Sequence, residues 1–155
     1  MATTTLPELK AKDFKGRVDP DWCPGCGDFG LLNSVQKSLA ALGKQPHEVV
    51  CVSGIGCSSN FPGYLSTYGM HTLHGRALAV ATGAKFANPE LTVIVTGGDG
   101  DGYGIGGNHF THTARRNAQA SDGTTASPRN TAFQHMIELS GDAPGFSFSL
   151  GVDVR

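Results

Sequence analysis

The sequence predicts an α/β protein built on a parallel sheet, and three features predict it. Helical apolar stripes alternate with short β-branched runs, the two clearest runs have apolar cores, and a glycine cluster follows each of them. Strands of a parallel sheet are covered on both faces and so read as continuous apolar runs, and ligands of such sheets sit at the carboxyl ends of the strands. The 22 glycines are about twice the share expected from an average of roughly 7%. They gather in Gly25 to Gly30, Gly54 to Gly63 and Gly97 to Gly107, which marks loops that turn sharply or approach a ligand.

The elements follow in order. Residues 1–12 form a polar leader. Asp28 is placed to cap a helix carrying Leu31, Leu32, Val35, Leu39 and Leu42 on one stripe, ended by Gly43. Val49, Val50, Cys51 and Val52 form a buried strand ending at the Gly54-Ile55-Gly56 turn. A long loop, Gly54 to Gly69, leads into an Ala-rich helix, His74 to Ala87, whose small side chains let it lie close to a sheet. Leu91 to Thr96 is the clearest strand, and after its glycine loop a helix is expected from about Gly106 to Arg116. From Ala118 to Asn130 no apolar period appears where another buried strand is expected. Beyond it, Phe133, Met136 and Ile137 share one side of a short helix, and Phe146, Phe148, Leu150, Val152 and Val154 alternate as in a half-buried strand. The domain expectation is a leader at 1–12, one domain at 13–117 and a tail of different character at 118–155.

Composition excludes some classes of function. Twelve basic and 13 acidic residues leave a net charge of -1, so no field favours nucleic acid or an anionic membrane surface. No apolar run approaches the roughly 20 residues of a spanning helix, and the start lacks a secretory core. The expectation is a cytoplasmic protein with no nucleic-acid or membrane partner.

Three groups of residues can carry chemistry. Cys23 and Cys26 form a C-P-G-C turn that sets two sulfurs on one side, and Cys57 stands in a second glycine-rich loop. These thiols suit an iron–sulfur cluster, a zinc site or a redox dithiol, or they are reduced cysteines beside a tight turn; Cys51, inside a strand, reads as a buried hydrophobe. A structural zinc site wants four ligands, and neither a second C-x-x-C nor a His pair at the usual zinc-site spacing is present. The second group is Gly97-Gly98-Asp99-Gly100-Asp101-Gly102 and its continuation, which contains a G-x-G-x-x-G at Gly102, Gly104 and Gly107. Asp99 and Asp101 would repel a dinucleotide's pyrophosphate, and Asp122 lies in a patternless stretch. The same residues suit a diphosphate bridged by magnesium, with Asp99 on the metal. The third is His71-Thr72-Leu73-His74-Gly75-Arg76, able to donate hydrogen bonds to an anion or move a proton, or else an exposed helix start. His109 and His112 stand at i and i+3 with no third metal ligand, and Arg115 and Arg116 read as a solvated helix end.

Together W-C-P-G-C-G-D-F-G at Trp22 to Gly30, G-I-G-C-S-S at Gly54 to Ser59, H-T-L-H-G-R at His71 to Arg76 and G-G-D-G-D-G-Y-G-I-G-G-N-H at Gly97 to His109 closely resemble one family. It is the β subunit, the thiamine-diphosphate-binding subunit, of 2-oxoacid:ferredoxin oxidoreductases, most like the 2-oxoglutarate type, over about residues 13–117. The resemblance implies the diphosphate-binding thiamine fold working beside an α subunit. It makes Cys23, Cys26 and Cys57 three of four ligands of a [4Fe–4S] cluster and Asp99 the Mg2+ ligand. Gly98, Gly100 and Asp101 would line the diphosphate, Ile55, Gly56, Cys57 and Ser58 would pass close to cofactor and cluster, and His74 would be an active-site histidine. The implied reaction is oxidative decarboxylation of a 2-oxoacid such as 2-oxoglutarate or pyruvate, with the acyl group passed to coenzyme A and electrons passed through the cluster to ferredoxin. Two other functions stand beside it: a thiamine-dependent decarboxylase or synthase without a cluster, and a non-catalytic metal-binding module built on C-P-G-C.

The tail departs from the family. After the magnesium aspartate the family continues into a strand, an asparagine turn that adds magnesium ligands, and a fourth cluster cysteine. No cysteine follows Cys57, and Asn130 stands in no version of that turn. The expectation is a fold cut short after residue 117, by a change of reading frame or by truncation, with weak cofactor binding and no turnover from this chain alone.

Overall fold

The computed structural model describes residues 8–116, 136–138 and 147–152. Among the described residues five strands form one sheet: β1 (Val49–Ser53), β2 (Tyr68–His71), β3 (Thr92–Gly98), β4 (Met136–Glu138) and β5 (Ser147–Val152), in the order β2-β1-β3-β5-β4. β1 and β3 run parallel, as the sequence predicts, and β2, which the sequence does not predict, runs parallel to β1 on its other side. β5 lies antiparallel along β3, from Val93 opposite Val152 to Gly98 opposite Ser147, and β4 lies antiparallel to β5.

Alternation sorts the β1 and β3 side chains into two cores. Val49, Cys51 and Ile94 join Leu31, Leu32 and Leu39 of helix α1 (Gly27–Ala41) and the rings of Phe14, Trp22, Phe61 and Tyr64. Val50, Val52, Val93 and Val95 face Ala77, Leu78 and Ala81 of helix α3 (Ala77–Ala87). A side chain buried in either layer contributes about 1.5–3 kcal/mol over its exposed state. All seven residues of β3 are buried, which is why its centre, Val93 to Val95, is apolar, with the buried Thr92 and Thr96 on either side.

The local signals are met with corrections. Helix α1 starts two residues earlier than expected: Cys26 is its N-cap, and Asp28 is buried in the first turn, where a carboxylate still favours the helix N-terminus. Its end is a Schellman motif, with Gly43 (φ +65) donating to the Ala40 carbonyl and Lys44 to that of Leu39. Leu42 is the C-cap and exposed, off the stripe assigned to it. Helix α4 (Gly107–Arg116) matches its expected bounds within a residue. The loop from Gly54 to Gly69 is more ordered than expected, holding a 3₁₀ turn (Cys57–Asn60), the short helix α2 (Phe61–Tyr64) and the first two residues of β2. β2 lacks an apolar signature because all four of its residues are exposed. Met136 and Ile137 lie in a strand, not in the expected helix; such short apolar runs fit either period, and pairing with β5 decides. The strand expected around residues 146–154 is β5. Asp122, Asn130, Phe133 and most of the departing tail lie outside the described residues.

One buried cation fixes how α3 hands over to β3. Lys85 is 4% exposed, and its Nζ donates to the carbonyls of Pro89 (2.5 Å) and Leu91 (2.7 Å), two of the residues that turn the chain into the strand. Among the described residues no helix is long and apolar enough to cross a membrane.

Candidate functional site

The carboxyl ends of β1, β2 and β3 open on one side, and the glycine loops meet there. After Gly97 and Gly98 the chain does not leave as an open loop: Asp99 begins a π-helical turn, Gly100–Ile105, that runs on towards α4. Asp101 in this turn is 4% exposed and its Oδ1 accepts the Gly75 N–H at 2.5 Å. Its Oδ2 lies over Gly54 and Gly97, in the space a β-carbon on either would take. Gly75 itself has φ +71, and a β-carbon there would stand 2.6 Å from the Gly106 nitrogen, so the turn carrying His74 accepts only glycine at this point. Gly75, Ala77, Leu78, Val95, Gly97, Asp101 and neighbouring backbone line a small pocket open to solvent.

The candidate cofactor residues divide around this pocket. Gly98 lines it, but its N–H is engaged by the Ile55 carbonyl (2.8 Å). Gly100 is exposed, and nothing lies within 4 Å of the β-carbon it lacks, so a ligand can reach its backbone. Asp99 is exposed beside the pocket, free of the tie that holds Asp101, which is the carboxylate in the lining. His74 is exposed in the turn before Gly75. Glycines that admit close approach, with one exposed carboxylate beside them to hold a bridging cation, fit a diphosphate with its metal.

The cysteines occupy a second corner. The Cys26 amide closes the C-P-G-C turn on the Cys23 carbonyl (3.0 Å), and the Trp22 indole N–H donates to the Cys57 carbonyl (2.7 Å), docking that turn against the second loop. Trp22 is held by edge contacts with Phe29 and Tyr64, ring centres 5.3 and 4.9 Å away, and by Phe61. Tyr64 in turn donates its hydroxyl to Asp21 Oδ1 (2.5 Å), and burial together with that carboxylate raises the phenol's pKa. Cys23 and Cys57 are exposed and Cys26 is half-buried. Burial raises the Cys26 pKa, helped by the charges of Asp28 and Cys57. Cys51 is fully buried, which pushes its thiol up to about 12, and it is the hydrophobe the sequence suggests. Among the described residues no three His, Cys, Asp or Glu side chains gather round one point. The described thiols therefore do not by themselves close a metal site.

A short loop joins the two corners. The Ile55 carbonyl takes the Gly98 N–H of the pocket, while the Cys57 carbonyl two residues on takes the Trp22 N–H of the cysteine corner. Ile55 is exposed, and Ser58 is fully buried with no partner for its hydroxyl among the described residues. Sequence reasoning missed the role of Trp22, although a tryptophan directly before C-P-G-C was its signal. It also missed Ser53, whose hydroxyl meets His71 Nδ1 at 2.9 Å; a serine closing an apolar strand carried no signal. Among the described residues no third metal ligand joins His109 and His112, and the exposed Arg115 approaches His112 at 3.4 Å.

Comparison with known proteins agrees with this geometry. Residues 54–121 match the family described as thiamine pyrophosphate enzyme, C-terminal TPP binding domain. The 2-oxoglutarate oxidoreductase subunit KorB of Mycobacterium tuberculosis is 52% identical over 115 residues, 74% of this chain and 31% of that protein. The 2-oxoacid:ferredoxin oxidoreductase subunit beta of a Sulfolobus species is 58% identical over 99 residues, 63% of this chain and 32% of that one. Among solved structures, the 2-oxoglutarate:ferredoxin oxidoreductase of Magnetococcus marinus, with 2-oxoglutarate, coenzyme A and succinyl-CoA bound, superposes with a TM-score of 0.72 at 52% identity, covering 75% of this chain and 40% of that one. The chain thus spans about a third of the length of the curated relatives it matches. With the motifs in place along a parallel α/β sheet, the chain is homologous over the matched stretch to 2-oxoacid:ferredoxin oxidoreductase β subunits and carries part of a thiamine-pyrophosphate-binding domain.

Proposed function

We propose that this chain is the cofactor-binding portion of a 2-oxoacid:ferredoxin oxidoreductase β subunit, acting with an α subunit in coenzyme-A-dependent oxidative decarboxylation of a 2-oxoacid such as 2-oxoglutarate or pyruvate. The observation that carries this reading is the carboxyl end of β3, where Gly98, Asp99 and Gly100 leave a buried strand beside a glycine-walled pocket, inside a stretch matching a thiamine-diphosphate-binding family. Thiamine diphosphate, when bound, supplies the nucleophilic carbon and the electron sink for decarboxylation.

The residues of this chain hold and orient that cofactor. Asp99 would hold the Mg2+ that accompanies a diphosphate, and the open backbone at Gly100 would admit phosphate oxygens. Asp101 lines the pocket and, through Gly75, fixes where His74 and Arg76 emerge. Ile55, Gly56, Cys57 and Ser58 lie between the cofactor and the cysteine corner. Cys23, Cys26 and Cys57 are the candidate ligands of a [4Fe–4S] cluster, but the described residues do not complete such a site, so no electron-transfer step is assigned to them.

Calorimetric titration of the chain with thiamine diphosphate, with and without Mg2+, tests the reading. Binding weaker than micromolar, requiring Mg2+ and lost in Asp99→Ala, is the expected result, with no turnover by this chain alone. Binding indifferent to Mg2+ and to Asp99→Ala overturns it. Metal retained on the cysteines with no response to thiamine diphosphate would instead favour a metal-binding module.

A further inference from the structure

Ser53 and His71 form a pair that the cofactor reading leaves without a role. Each is the last residue of its strand, and β1 and β2 place them directly opposite each other in the parallel register. Ser53 is fully buried, and among the described residues the only partner of its hydroxyl is His71 Nδ1, at 2.9 Å. The Ser53 carbonyl already accepts both the Thr72 N–H and the Thr72 hydroxyl, each at 2.8 Å.

A buried hydroxyl that fails to donate costs free energy comparable to a lost hydrogen bond. The Ser53 proton therefore goes to His71 Nδ1, which must be bare to accept it, and the imidazole proton resides on Nε2. His71 is exposed, and Nε2 has no hydrogen-bond partner among the described residues. The fold thus presents one oriented N–H at the carboxyl edge of the sheet, where parallel sheets bind ligands.

Its position separates it from the diphosphate cradle. β2 and β3 flank β1, so His71 stands about 10 Å from the end of β3, two strand spacings away. We propose that His71, its tautomer fixed by Ser53, is a positioning residue for the 2-oxoacid, donating from Nε2 to an oxygen of the acid's carboxylate or keto group. The inference rests on the proposed function, because that reading supplies the acid.

Nitrogen-15 NMR of the imidazoles in the full chain, titrated with Mg2+ and thiamine diphosphate and then with 2-oxoglutarate, tests it. The expected spectrum shows His71 protonated at Nε2 in the wild type and a mixture of tautomers in Ser53→Ala, with the Nε2 signal moving as 2-oxoglutarate is added. His71→Gln, whose amide donor falls near Nε2, should keep affinity for the acid within about threefold, whereas His71→Asn, whose donor falls near Nδ1, should lose about tenfold or more. A proton on Nδ1 in the wild type overturns the inference. So does a His71 signal that ignores 2-oxoglutarate while thiamine diphosphate binds, an outcome that leaves the proposed function standing. Failure of thiamine diphosphate to bind counts against the function itself. In that case a response of His71 to 2-oxoglutarate alone still upholds the pair as an acid-binding device, and no response overturns it.

Discussion

The Asp101 carboxylate accepts the Gly75 amide proton at 2.5 Å across 26 residues of sequence, and so ties the turn that carries His74 to the end of β3. Asp101→Ala removes the acceptor and leaves a buried amide unpaired. The expected loss is about 1–3 kcal/mol of stability, read by urea denaturation followed by circular dichroism.

Gly54→Ala places a β-carbon where Asp101 Oδ2 already lies. Alone it should destabilise by about 1–3 kcal/mol, as overpacking of a filled interior does. In the Asp101→Ala background its cost should shrink, because the colliding atom is gone. Two costs that simply add would show that Asp101 is not what excludes the methyl group.

Trp22→Phe keeps an aromatic ring among Phe29, Phe61 and Tyr64 but deletes the N–H that reaches the Cys57 carbonyl. A stability loss of roughly 0.5–1.5 kcal/mol is expected for the lost bond. The two cysteine loops should also separate more readily, so a disulfide reporter or cross-linker spanning Cys26 and Cys57 should form less efficiently than in the wild type.

The thiols should react in order of exposure. At about pH 8 a thiol reagent should modify Cys23 and Cys57 first, Cys26 more slowly, and Cys51 only after unfolding, since the thiolate is the reactive form. Cys51 also sets a pH dependence. Its folded pKa of about 12 lies above the ordinary 9.0, so the folded state holds its proton longer than the unfolded chain. The stability this provides is complete below about pH 9 and is lost as pH rises towards 12, by at most about 1.4 kcal/mol per pH unit. Denaturation midpoints between about pH 8 and 11 should fall less steeply in Cys51→Ala.

What the sequence made legible was whatever leaves a periodic or chemical trace in consecutive residues. β1 and β3 are buried on both faces, and their apolar runs show it. α1 and α3 carry apolar faces, and Gly43 ends the first by its left-handed backbone. β2 was hidden because four exposed residues need no apolar pattern; its place is set by pairing with β1. The antiparallel course of β5 beside β3 was equally hidden, since a strand's direction is fixed by its partner and not by its own side chains. At the site, glycine and aspartate spacing located the pocket but did not say which carboxylate is buried. Only the close approach of Gly54, Gly75 and Gly97 shows that Asp101 is enclosed while Asp99 remains exposed.

Trp22 is the single tryptophan of the chain, so all indole emission originates within one contact of the Cys57 backbone. Its fluorescence is therefore a local gauge of the cysteine corner, not an average over the molecule. Quenching on addition of iron, zinc or an oxidant reports an event at those thiols, while a change of the pocket beyond Ile55 reaches the indole only through the loop the two corners share.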